Sequence, residues 1–228
     1  MREVNWDGLH NARDLGGIGA VAPGRVFRTP RLDGMSPHGF RAMVDDGVRT
    51  IIDLRNASEI APLDVPPEVT RLTMPVEDDT DAAFVAEWGG RLNTPAYYPD
   101  VVERWPHLFV TVFHGIAAAD AGGIVVHCAG GRDRTGLIVA MLLQLADVPV
   151  DEIVADYSAS VVAMNEYFAA SETPHEPPQS DAELAAWVET TSAALRAFLG
   201  TFDTERYLLA NGLPAVDLTR IRARMLEP

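Results

Sequence analysis

Cys128, the single cysteine of the chain, is followed after five residues by Arg134 and Thr135. Between them lie Ala129, Gly130, Gly131, Arg132 and Asp133, with Gly136 just beyond. Glycines at these places relax the backbone, so a loop this short can turn several N–H groups toward one point and cradle an anion. Arg134 can close over a bound oxyanion with its two-pronged guanidinium. The positive field of such a nest favours the thiolate, which is the form of cysteine that attacks. The spacing therefore describes a nucleophile beside an anion site, suited to displacement at phosphorus through a covalent intermediate.

The flanking residues supply the elements that would hold this loop. Ile124, Val125, Val126 and His127 read as a buried strand that delivers Cys128 at its C-terminal end. From 137 to 146 the chain is almost wholly apolar, as expected of a helix buried on all sides. Its N-terminus adds unsatisfied N–H donors and the positive end of a dipole to the cradle. His127 is read as orienting the loop from below. The plainer alternative is a strand, a glycine turn and a core helix with an inert structural thiol.

At 228 residues, with 47% hydrophobic and 22% charged residues, the chain fits one domain over 1–228. A formal net charge of −15 argues against nucleic acid and against a generic anionic membrane surface as partners. It does not veto a phosphorylated substrate, because charges beyond a Debye length of about 8–10 Å are screened and the local cradle decides. No apolar run is long enough to span a bilayer, residues 1–10 have no signal-peptide core, and one cysteine forms no internal disulfide. These features point to a reducing cytoplasm, while remaining compatible with signal-independent secretion. No clustered His/Cys ligand set is present, so neither metal nor cofactor is expected. Oligomeric state is not legible.

The string over 127–136, His-Cys-Ala-Gly-Gly-Arg-Asp-Arg-Thr-Gly, resembles the signature of cysteine-dependent phosphatases. More narrowly, it resembles a bacterial tyrosine-phosphatase-like family that commonly reads Ala-Gly-Lys-Asp-Arg-Thr-Gly here, so Arg132 stands at the usual lysine. Asn11-Ala12-Arg13-Asp14-Leu15-Gly16-Gly17 is similar to the family's early Asn-Phe-Arg-Asp-Leu-Gly-Gly, with Ala12 replacing the aromatic residue. Asp53-Leu54-Arg55 and the trio Ile153, Asp156 and Tyr157 match further family-like strings. The resemblance implies a three-layer α/β domain with a central, largely parallel sheet flanked by helices.

It also implies a protein-tyrosine or dual-specificity phosphatase, needing no metal. Cys128 would be the nucleophile, Arg134 and the N–H groups from Ala129 to Thr135 would bind the phosphoryl group, and Thr135 would donate to the leaving thiolate. Asp133 is the first candidate for general acid, with Asp78, Asp79 and Asp81 as alternatives. The alternative role for Arg132 and Asp133 is to select a second phosphate on a phosphoinositide. Arg13 and Asp14 are read as an ion pair fixing a glycine turn, and Asp53, Arg55 and Glu59 as a charge network beneath the loop. A silent phosphate-binding module and a rhodanese-like sulfurtransferase compete with this reading. The first is opposed by the joint presence of Cys128, Arg134 and Thr135, and the second by the Arg-Thr-Gly exit.

Periodicity and punctuation predict strands over 25–28, 48–54, 69–76 and 124–127. Helices are expected from a Ser36 cap and Pro37 to Gly47, over 82–88, over 93–121 with a break at Pro106, and over 137–146 and 150–170. Further helices are expected over 181–199, ended by Gly200, and over 205–211 and 216–226. Pro174, Pro177 and Pro178 make 171–180 a linker. The resemblance makes a helix within 177–202 a candidate cover for the site, with a plain scaffold helix as the equal alternative.

Overall fold

Strand alternation sorts the apolar residues onto the two faces of one sheet. A computed structural model describes residues 2–227. The sheet comprises β1 (Arg2–Glu3), β2 (Arg13–Asp14), β3 (Val26–Thr29), β4 (Val48–Asp53), β5 (Thr70–Thr73) and β6 (Gly123–His127), in the order β1-β2-β3-β6-β4-β5. The run β3-β6-β4-β5 is parallel, and β1 and β2 add an antiparallel edge. Val26, Ile52, Ile124 and Val126 face the larger core, whereas Phe27, Ile51 and Val125 face the smaller one.

The smaller face is covered by α1 (Pro37–Asp45) with Trp6, Phe40 and Met43. Ser36 caps this helix by accepting from Gly39 N at 3.1 Å, with Pro37 in its first turn. The larger face carries α2 (Ala82–Trp88), α3 (Tyr98–Arg104), α4 (Pro106–Ala118), α5 (Asp133–Leu145), α6 (Val150–Ala170), α7 (Asp181–Thr201), α8 (Thr204–Ala210) and α9 (Ala215–Leu226). The molecule is the three-layer α/β domain expected. Pro106 does divide the long helical region, with Trp105 between α3 and α4 in a non-helical conformation.

Two local expectations are corrected. Arg13 and Asp14 form a short strand rather than part of a turn, because β3 offers them an antiparallel partner. Gly200 lies inside α7 instead of ending it. Leu199 is buried, and Phe198 stacks on Phe202 at 4.5 Å, so packing carries the helix past the glycine. The same half of α7 reaches the main core, where Phe198 meets Tyr98 edge-on at 5.6 Å.

Parallel pairing brings three strand ends level, with His127 opposite both Thr29 and Asp53. Cys128 therefore emerges at the centre of the sheet's C-terminal edge, where α5 begins. Among the described residues, no helix is long and apolar enough to cross a membrane.

Candidate active site

The loop after β6 is held from outside by its carbonyls. Ala129 O accepts from Arg31 N at 2.9 Å, and Gly130 O and Gly131 O accept from Asn11 Nδ2 at 3.2 and 3.3 Å. Arg28 Nη2 donates to Gly131 O at 2.8 Å. A peptide plane whose carbonyl is tied outward presents its N–H on the opposite side. The N–H groups of Gly130, Gly131 and Arg132 are thus turned inward, as an anion nest requires. Gly131 has φ +67, and a Cβ there would lie 2.4 Å from Thr29 O, so glycine is needed on both counts.

Arg28 and Arg13 owe their positions to α6. Asp156, 3% exposed, binds Arg13 Nε at 2.9 Å with one oxygen and Arg28 Nη1 with the other. Burial opposes ionisation of Asp156, but the two guanidiniums outweigh it and hold its pKa below the ordinary carboxylate value. Arg13 also donates to Ser160 Oγ at 2.6 Å and to Asn11 Oδ1. Its ion pair therefore runs to Asp156, not to its neighbour Asp14 as expected. Successive strand residues point to opposite faces, and Asp14 instead clamps the glycine turn by accepting from Gly16 N at 2.8 Å and Gly24 N at 2.9 Å.

Below the loop, Asp53 is fully buried and accepts from Arg55 Nε and Nη2, both at 2.9 Å, and from Arg71 Nη2. Burial works against its charge, yet hydrogen bonds from Arg55 and Arg71 bring its pKa down to about 2. His127 Nδ1 donates to Cys128 O at 3.1 Å, and Nε2 lies 3.5 Å from Asp53. Burial lowers the His127 pKa to about 4 against the opposite pull of Asp53, so the ring is neutral at pH 7. Asp53 and Arg55 thus pair with each other and with Arg71 and Asp33, respectively, whereas Glu59 pairs with Arg134.

Glu59 holds the guanidinium of Arg134 with both carboxylate oxygens, Oε1 accepting from Nη2 at 2.7 Å. Its Oε2 also accepts from Asn56 N at 3.0 Å, which ties it to a short 3-10 turn after β4. Burial alone would raise the Glu59 pKa, but Arg134 brings it below the ordinary value. A second carboxyl, Glu77, follows β5. It is 6% exposed, its Oε1 lies 3.4 Å from Arg134 Nε, and its buried Oε2 has no hydrogen-bond partner among the described residues. Burial pushes its pKa up to about 7 despite Arg134, whose charge Glu59 already compensates.

Asp133 opens α5 with both oxygens engaged. Tyr157 OH donates to Oδ1 at 2.6 Å and Arg132 Nε to Oδ2 at 2.8 Å. Arg132 Nη2 reaches Glu176 Oε1 at 2.7 Å, in the linker before α7. Of the acidic run after β5, Asp78 accepts from Thr80 N at 2.9 Å, Asp79 accepts from Ser58 Oγ, and Asp81 caps α2 by accepting from Ala83 N at 2.9 Å and Phe84 N at 3.0 Å.

Cys128, Ala129, Gly130, Arg132, Asp133 and Arg134 line one cavity of about 500 Å³, together with Glu59, Glu77 and Tyr97. Asp78, Asp79 and Asp81 are not among its lining residues. Part of the lining is apolar and aromatic, with Leu92, Met164 and Phe168 joined by a stacked His10–Tyr167 pair whose ring centres are 3.6 Å apart. From the linker, His175 and Glu176 reach the cavity. Sequence reasoning did not single out Asn11, Arg28, Glu77 or the His10–Tyr167 pair. A signal existed for Asn11 in its family-like string, for Arg28 in the strand that leads into a family-like segment, and for Glu77 as the first residue of the acidic run it shares with Asp78, Asp79 and Asp81; for the His10–Tyr167 pair only tertiary packing supplies one.

The tyrosine phosphatase family model matches residues 4–227. Over 171 residues the chain is 28% identical to a Cupriavidus necator protein provisionally named as a tyrosine-protein phosphatase, covering 69% of this chain and 63% of that one. It is 29% identical over 185 residues to the triple specificity protein phosphatase PtpB of Mycobacterium tuberculosis, covering 67% of each. A tyrosine-protein phosphatase of Nostoc commune is 50% identical over 52 residues, 18% of its length. The chain thus spans about two thirds of the first two relatives and less than a fifth of the third. A match of this extent, on a fold that sets Cys128 and Arg134 around one cavity, places the chain in the tyrosine phosphatase family.

Proposed function

We propose that the chain hydrolyses phosphate monoesters, phosphotyrosine foremost, through a phosphocysteine formed on Cys128. The observation that carries this reading is the loop from Cys128 to Arg134, whose carbonyls at 129–131 are tied outward while Cys128 and Arg134 share a cavity. The phosphoryl group sits on inward N–H groups and the N-terminus of α5, and Arg134 binds two of its oxygens. Cys128 Sγ attacks phosphorus as the ester bond breaks, and water then releases phosphate from sulfur. Thr135 Oγ1 is buried without a hydrogen-bond partner among the described residues, so its hydroxyl is available to donate to the departing thiolate. No step calls for a metal, since loop, helix and Arg134 supply the positive field.

The aromatic part of the lining favours an aryl ester. Phe168, Met164 and the His10–Tyr167 stack suit a phenyl ring. Arg132, the candidate for a second phosphate, is already paired with Asp133 and Glu176, which ranks a phosphoinositide second. The triple specificity named for the mycobacterial relative makes phosphoserine, phosphothreonine and lipid substrates the comparison to run. An unpaired Cys128 suits a reducing cytoplasm, and the pairing of Arg132 with Glu176 makes the linker before α7 the candidate cover.

Metal-free hydrolysis of para-nitrophenyl phosphate by wild type and Cys128→Ser, with vanadate as competitor, tests the reading. Turnover by wild type alone, blocked by vanadate and followed by preference for phosphotyrosine peptides, is the expected result. Vanadate binding without turnover would make the chain a phosphate reader, and a persulfide on Cys128 from thiosulfate would make it a sulfurtransferase.

A further inference from the structure

The leaving oxygen needs a proton, and several carboxyls stand near the cavity. Asp133 has both oxygens committed as acceptors, to Tyr157 OH and Arg132 Nε. Asp78, Asp79 and Asp81 are engaged by Thr80, Ser58 and the first turn of α2, outside the cavity. Glu59 is spent on Arg134. Glu77 differs from all of these. It lines the cavity with Cys128 and Arg134, is 94% buried, since only 6% is exposed, and keeps Oε2 without a partner.

We propose, building on the phosphatase reading, that Glu77 is the catalytic acid and base of this site. In the first step the thiolate of Cys128 forms the S–P bond, the P–O ester bond breaks with its electron pair passing to oxygen, and that oxygen takes the proton of Glu77. In the second, the Glu77 carboxylate takes a proton from water as the water oxygen bonds phosphorus, and the P–S pair returns to Cys128 as thiolate. The groups facing Glu77 support the assignment. Burial is the largest influence on its proton, Arg134 from α5 draws against it, and the charges of Glu59, Asp133 and Asp79 add to it, with Tyr97 also close enough to interact. Burial adds to these carboxylates, and the resulting value near 7 leaves a proton to give at neutral pH.

The test compares wild type, Glu77→Gln, Glu77→Asp and Asp133→Asn on para-nitrophenyl, 4-methylumbelliferyl and phenyl phosphates, whose leaving groups grow more basic in that order. Glu77→Gln should lose about 10²–10⁴-fold in kcat/KM on phenyl phosphate and much less on para-nitrophenyl phosphate. Its basic limb should flatten, and Glu77→Asp should recover part of the phenyl phosphate rate. A loss equal across the series, a Glu77→Asp protein no better than Glu77→Gln, or a steepened series in Asp133→Asn alone would overturn the assignment while leaving the phosphatase reading intact. A wild type inert toward all three esters overturns both.

Discussion

Arg134 is positioned before any substrate arrives. Its guanidinium lies in the two-oxygen grip of Glu59, which is itself fixed through Asn56 N. A phosphoryl group must therefore meet a fork already set in plane, and a lysine keeps the charge while losing that fork. Arg134→Lys is expected to lower kcat about 10²–10³-fold, the scale of losing one preorganised donor; steady-state kinetics on para-nitrophenyl phosphate checks it. That Cys128 and this arginine share one cavity was legible in the sequence, because five-residue spacing puts them on one short loop. The partners of each carboxyl were not. Glu77, Asp78 and Asp79 are consecutive, and only the fold decides that the first is enclosed while its neighbours bind surface hydroxyls.

At the scale of elements, α6 and β3 hold the loop through one buried charge cluster. Asp156 is the common partner of Arg13 and Arg28, and Arg28 reaches the loop at Gly131 O. Asp156→Ala removes from two buried arginines the carboxylate they share, at an expected cost of about 3–5 kcal/mol; urea denaturation measures it. A cost under about 1 kcal/mol would mean that the cluster contributes specificity rather than stability. In α7, a Cβ at Gly200 would meet nothing within 4 Å. Gly200→Ala is therefore expected to raise stability by about 0.5–1 kcal/mol, read from the same experiment. Helix existence and most boundaries followed from periodicity and caps. Where glycine was taken as a stop, aromatic packing of Phe198 on Phe202 overrode it. β2 was missed because a two-residue strand has no period of its own; its partner β3 creates it.

For the whole molecule, two buried groups set opposing pH dependences. Between its ordinary 4.5 and about 7, Glu77 holds a proton in the folded chain that the unfolded chain has released, so stability falls as pH rises through that window. Between about 4 and its ordinary 6.5, His127 is neutral when folded but protonated when unfolded, so stability falls as pH drops. Over the shared range from 4.5 to 6.5 the two offset. Glu77→Gln removes one of them, and its urea midpoint should climb with pH there; a profile parallel to wild type would contradict the burial of a proton on Glu77. Hydrolysis by this site depends above all on Cys128 carrying the phosphoryl group. Acid quenching during turnover of para-nitrophenyl phosphate, followed by intact-mass measurement and site mapping, tests this most directly. A single added phosphoryl group on Cys128, absent from Cys128→Ser, is the predicted result. Turnover that persists in Cys128→Ser, with no adduct on the wild type, would contradict it.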